Sequence, residues 1–193
     1  MRNQPTYSST YRLYFVVALL ALGACAQNAP PPAAAAAAGG PIRSRNEGYS
    51  ILHKLMDDES GVSKLLIIKH ADEPLAGLVK QIAAACNSAK EEMDKWAASD
   101  KLIEFNVPDL PPAETAVRKQ TADADTKALL FNSGKNFELR LAFTQIQAMN
   151  YGAELCRAIE PNEDDPGRKQ FLTNLAKQCD GFSDQLMNLL AEK

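Results

Sequence analysis

Residues 72–98 read DEPLAGLVKQIAAACNSAKEEMDKWAA, and this stretch decides the fold. Leu75, Leu78, Ile82, Ala85, Cys86, Ala89, Met93 and Trp96 recur at steps of three and four, which gathers them on one face of an α-helix. Lys90, Glu91, Asp94 and Lys95 fall on the other side. Asp72-Glu73-Pro74 supplies the start. An acidic side chain can cap the free backbone N–H groups, and Pro in the first turn lacks only an N–H that would have no partner. A helix with one apolar face has to bury it, so its partners should lie elsewhere in the chain.

The same period recurs on both sides. Upstream, roughly Ser50 to His70 places Ile51, Leu52, Leu55, Met56, Val62, Leu65, Leu66 and Ile68 near one face, although Asp57-Asp58-Glu59 and Gly61 weaken its middle. Downstream, residues 99–112 break the pattern, and Pro108, Pro111 and Pro112 forbid regular helix there. Ala113 to Phe131 has helical propensity but few large apolar residues before Leu129-Leu130-Phe131, which suits a helix on the outside. After the Asn132-Ser133-Gly134 break, about Asn136 to Ile159 carries Phe137, Leu141, Met149, Gly152, Cys156 and Ile159 on one stripe. Leu139, Phe143 and Ile146 form a second stripe, the pattern expected of the most buried helix. Pro161 to Asp164 reads as a polar loop. Asp165-Pro166 repeats the cap, and the last helix aligns Phe171, Leu172, Leu175, Cys179, Phe182, Leu186, Leu189 and Leu190.

No run alternates with period two, so the fold class expected is all-α. Four amphipathic helices bury their faces best as a four-helix bundle. The 37 residues of 99–135 exceed the usual helix–helix connection and can run back along the bundle as a long crossover holding the extra outer helix.

The N-terminal part has a different character. After Arg2 and Arg12 comes an apolar run of 12 residues, Leu13 to Ala24, shorter than the roughly 20 needed to span a bilayer. Its end, Leu22-Gly23-Ala24-Cys25, resembles the lipobox of bacterial lipoprotein signal peptides. That resemblance implies cleavage before Cys25 and acylation of Cys25, leaving a mature chain of 169 residues. The alternative is an ordinary secretory signal with a coincidental Cys. Acyl chains on Cys25 would hold the chain to a membrane at about 0.8 kcal/mol per buried methylene. Ala26, rather than Asp, after Cys25 implies the outer membrane, facing the periplasm, by resemblance to Gram-negative sorting. Ala26 to Pro41 carries no charge and no large apolar residue, only Pro30-Pro31-Pro32, Ala33 to Ala38 and Gly39-Gly40-Pro41, so it reads as a spacer. The expected division is 1–24 signal peptide, 25–47 lipidated Cys and tether, and 48–193 helical domain.

The order of helices resembles a family of secreted bacterial proteins of unknown function with a ferritin-like bundle. The features that match are Glu73-Pro74, Pro111-Pro112-Ala113-Glu114, Ser133-Gly134-x-x-Phe137 and Asp165-Pro166, over roughly residues 50–190. Members of that family often carry histidines in the later helices. Here His53 and His70 both belong to the first helical segment, so the resemblance implies a fold and no metal.

In such an arrangement the second and fourth core helices are neighbours. Counted at 1.5 Å per residue, Cys86 and Cys179 then fall at levels of about 18 and about 20 Å. A Cys86–Cys179 disulfide is therefore expected, with Cys156 more than 10 Å away and free. The alternative is three reduced thiols acting as small hydrophobes.

Catalytic chemistry is hard to assemble from these residues. A di-metal carboxylate site needs Glu-x-x-His, and Glu91, Glu92 and Glu154 meet Asp94, Lys95 and Arg157 instead. There is no Cys-x-x-Cys-His for haem and no Gly-x-Ser-x-Gly elbow. Met56 and Met149 read as core, and His53 and His70 as solvated. Without Arg2 and Arg12 the chain has 19 basic and 24 acidic residues, a net of −5 with the cations scattered, which argues against nucleic acid and against electrostatic attraction to anionic lipid. No cofactor is implied. The expected function is a non-enzymatic envelope bundle that binds a protein or cell-wall partner. The alternative is a small-molecule or metal-handling bundle, stress-related in role, using Asn87, Gln145, Asn150 or Tyr151.

Overall fold

The computed structural model describes residues 40–105 and 111–192, with side chains from Arg43 onward. The chain divides into two units, Met1–Ala38 and Gly39–Lys193, and the described residues belong to the second. All its elements are helical, with no strand among the described residues: α1 (Gly40–Ser60), a 3₁₀ turn (Val62–Lys64), α2 (Leu65–Ile68), α3 (Glu73–Ser99), α4 (Pro112–Phe131), α5 (Gly134–Ile159), a second 3₁₀ turn (Glu160–Asn162) and α6 (Pro166–Ala191).

The helix starts follow from local chemistry. Asp72 accepts from the Leu75 N–H with Pro74 in the first turn of α3, and Asp165 accepts from the Arg168 N–H with Pro166 opening α6. α5 begins differently: Ser133 makes no side-chain cap, and Gly134 turns the corner at φ 55°, a left-handed conformation that a Cβ would strain.

α1, α3, α5 and α6 surround one core, with α1 beside α3 and α5, α6 beside α5 and α3, and few contacts between α3 and α5 across the middle. The hydrogen bonds fix the directions. Asn46 in the first part of α1 donates to Leu102 O just past α3, and Tyr49 donates to Glu163 just before α6. The start of α1, the end of α3 and the α5–α6 corner thus share what we call the amino end. At the far end the Asp72 N–H donates to Glu138, and Lys69 Nζ to Asn132 O. α1 and α6 therefore run toward the far end, and α3 and α5 toward the amino end, with α4 returning between them.

Tyr49, Leu52, Met56, Val79, Ile82, Met93, Phe137, Leu141, Met149, Leu172 and Leu186 fill the core. Burial of such side chains, at roughly 1.5–3 kcal/mol each, is the main favourable contribution to the fold. Met56 and Met149 are fully buried, as read from sequence. α4 buries only Leu129 and is pinned to α5 by Arg118, which donates to the Tyr151 hydroxyl at 2.7 Å, as an outside helix should be.

Four expectations need correction. Helix α1 starts at Gly40, so residues 40–47 are helical rather than tether, and Arg45 among them is buried. The first helix does not continue to His70: it ends at Ser60, and Ile67 and Ile68 project into solvent. The second stripe of α5 is only partly internal, because Ile146 is buried while Leu139 and Phe143 are exposed. The periodicity there was real, but α4 stands too far out to cover it. His53 is only partly solvated: its ring stacks on Phe105 at 4.5 Å and its Nε2 lies 2.7 Å from Asp94 Oδ1.

Candidate functional site

The most elaborate polar arrangement sits at the amino end, around Glu163. This residue follows the second 3₁₀ turn, and its side chain is fully buried. Oε2 accepts from the Tyr49 hydroxyl at 2.7 Å. Oε1 accepts from the N–H groups of Asp164 and Asp165 at 2.9 and 2.8 Å, and from Arg168 Nη2 at 2.9 Å. Arg45 Nη1 stands 3.8 Å off. The two guanidiniums continue outward, Arg168 to Asp100 at 3.2 Å and Arg45 to Leu102 O at 3.2 Å. Below this layer Tyr49, Trp96 and Phe171 meet edge-to-face, with centroids 5.8 and 4.7 Å apart.

Two stretches of chain remote in sequence, α1 and the α5–α6 corner, are thereby joined by one carboxylate, and Arg168 carries the tie on to Asp100 at the end of α3. Burial alone would raise its pKa. The hydrogen bonds from Arg168, the Asp165 N–H and Tyr49 outweigh that and hold it at about 2. Burial, then the bond to Glu163, push the Tyr49 phenol far above its ordinary range. Glu163 is therefore held as an anion near neutrality and Tyr49 as its donor, and the carboxylate clamps the α5–α6 corner onto α1.

A second polar contact lies deeper. Gln145, 2% exposed, donates to Glu59 Oε2 at 2.7 Å, while its own Oε1 is buried without a partner. Burial raises the Glu59 pKa despite that bond. The other polar residues considered for a ligand site do not join Gln145: Asn87 is exposed and bonds to Glu91, Asn150 is exposed, and Tyr151 is held by Arg118 on the outer side of α5. Among the described residues no group of three or more His, Cys, Asp or Glu could hold a metal ion.

Cys86, Cys156 and Cys179 are buried free thiols. The expected Cys86–Cys179 disulfide is therefore not formed here, although α3 and α6, which carry the two residues, are neighbours. Cys156 is nearer than the expected 10 Å in level: a Cβ on Gly152 would stand 3.5 Å from Cys179 Sγ, and Cys156 is one turn, about 6 Å, farther along α5. Burial pushes the Cys156 and Cys179 thiols up to about 12, and Cys86 higher, so none is an available thiolate nucleophile. Cys25, the expected lipidation site, lies outside the described residues. No helix among those described is long and apolar enough to cross a membrane.

Sequence reasoning missed Arg45, Tyr49, Glu163 and Arg168. Glu163 sits in a polar corner and Tyr49 is 114 residues away, so no local period could connect them. No protein-family model, no curated protein and no solved structure matches the chain.

Proposed function

We propose that this chain is a lipid-anchored protein of the bacterial cell envelope, held by acyl chains on Cys25, whose helical body binds an envelope protein or cell-wall component without catalysing a reaction. Leu22-Gly23-Ala24-Cys25 supports the anchor, and Ala26 supports the outer membrane on its periplasmic side. The parallel α3 and α5, linked by a long connection through the outer helix α4, support a ferritin-like bundle.

The observation that carries the non-catalytic reading is the closed Glu163 centre. The most strongly perturbed carboxylate uses both oxygens to join protein segments, leaving none for a substrate. In membrane fractions of the native host, the N-terminal peptide of the mature protein should begin at Cys25 and carry acyl mass. A mature N-terminus elsewhere, or an unmodified Cys25, would overturn the anchor. In-cell cross-linking of the anchored form should then capture an envelope partner.

A further inference from the structure

In the last turn of α1 one polar contact is chemically incomplete. Gln145 on α5 is 2% exposed and its Nε2 donates to Glu59 Oε2 at 2.7 Å, but its Oε1 is buried and has no partner. A buried carbonyl oxygen without a donor is costly, and such oxygens in folded proteins nearly always find one. Opposite an ionised carboxylate, an amide can satisfy only one of its two ends, because the carboxylate has no proton to give. Turning the amide over does not help. Oε1 would then meet a carboxylate oxygen, and Nε2 would be the stranded atom.

The missing donor lies within the contact itself. A protonated Glu59 keeps one oxygen to accept from Nε2 and presents an O–H to Oε1, so that acid and amide close a ring of two hydrogen bonds. The surroundings favour that form, because the nearby cations are engaged elsewhere or solvated. On α1, Asp57 is exposed and Asp58 is paired with Lys54. On α3, Cys86 is a buried thiol, Glu91 is exposed and Lys90 bonds to Asp94. Lys64 in the 3₁₀ turn is exposed, and the residues one turn either side of Gln145 on α5, Leu141 and Met149, are apolar and buried. Burial is the largest influence on the Glu59 carboxyl and opposes its charge, and Asp58 adds to that.

We propose that Glu59 holds its proton in the folded chain and donates it to Gln145 Oε1, and that loss of this proton at higher pH frees the last turn of α1 from α5. Ionisation sends the proton to solvent, leaves Oε1 without a donor and sets a buried anion beside it. The fastening is therefore complete below the ordinary glutamate value of 4.5 and is lost as pH rises through the higher folded value, the reverse of the Glu163 clamp.

Infrared spectroscopy of the full chain, with isotope-labelled glutamate side-chain carboxyls, reads the proton directly. At about pH 6, where solvated glutamates are ionised, one protonated carboxyl band should remain, and it should vanish in Glu59→Gln. In Gln145→Met the band should move to higher frequency, because the O–H has lost its acceptor. Gln145→Asn, whose amide is one methylene short of the carboxyl, should do the same, and circular dichroism checks that each variant stays helical. Hydrogen exchange reads the mechanical consequence. Opening of the last turn of α1, corrected for the pH dependence of exchange itself, should rise several-fold from about pH 5 to about pH 8 in the parent and stay level in Glu59→Gln. Absence of the band, or a band that survives Glu59→Gln, overturns the inference. So does a Glu59 band that keeps its frequency in both Gln145 variants, since the proton then goes elsewhere. Opening of α1 with the same pH dependence in parent and Glu59→Gln overturns the release.

Discussion

The two ends of the bundle handle polarity in opposite ways. At the amino end, charged residues are drawn inside: Glu163 is engaged by Tyr49, Arg168 and two backbone N–H groups, while the Nε atoms of Arg45 and Arg168 are buried without a partner. At the far end, Ile67, Ile68 and Phe131 are left outside, and Lys64, Lys127 and Lys135 are exposed. The contrast teaches that a helical body can put its geometrically demanding contacts where its chain segments must be registered, and leave apolar side chains outside where no segment has to be held. Stability should therefore be concentrated at the amino end, and substitutions at the far tip should cost little.

The largest expected effect is at the amino end. Glu163→Ala removes the acceptor of the Tyr49 hydroxyl and the buried anion beside Arg168 and Arg45, leaving the guanidiniums only Asp100 and Leu102 O, and should cost about 3–5 kcal/mol in urea unfolding. A loss under about 1 kcal/mol would show that the clamp is dispensable and would erase the contrast. The same group sets an acid limit. Its pKa falls from 4.5 to about 2 on folding, so the stability it contributes is present above the unfolded value and drains away as pH falls from about 4.5 through about 2. Glu163→Gln should flatten that part of the stability–pH curve.

A smaller loss is expected where α1 crosses α5. A Cβ on Gly48 would fall 2.5 Å from Ile159 Cγ1, so Gly48→Ala should cost about 1–3 kcal/mol. The penalty should shrink when measured in an Ile159→Ala chain, because the clash is then gone; an undiminished penalty would assign the effect to the backbone instead.

Between the ends, Glu59 carries a raised pKa, so its neutral form is the one the fold favours, and the preference is lost as pH rises past the ordinary Glu range. Glu59→Gln keeps an acceptor for Gln145 and should gain stability over the parent between about pH 4 and neutrality. Equal pH profiles for the two chains would show that burial there is relieved by other means. The smallest effect belongs to the far end: Phe131→Ser should leave unfolding within about 0.5 kcal/mol of the parent, since little is buried there to lose. A larger drop would mean that Phe131 supports the body.

Much of the architecture was legible because it is written locally. Asp72-Glu73-Pro74 and Asp165-Pro166 state where α3 and α6 begin, and the repeat from Leu75 to Trp96 states which face turns inward. Leu129 at the end of an otherwise polar helix was enough to put α4 outside. What could not be read depends on distant partners. Arg43, Arg45 and Glu47 show no apolar period, so the first turns of α1 look like tether until Leu102 O and Glu163 are there to receive Arg45. Ile68 looks like core because hydrophobicity alone does not reveal that the helix has already ended. The Glu163 centre is the extreme case, since a loop carboxylate becomes a core residue only through tertiary contacts.

Because α1 starts at one end of the body and α6 finishes at the other, a pull between Gly40 and Ala191 runs along the helix axes. Separation must then slide whole helices past their neighbours, breaking many side-chain contacts at once, instead of peeling one helix away turn by turn. A body wired in this way transmits tension from one end to the other and gives little before it fails.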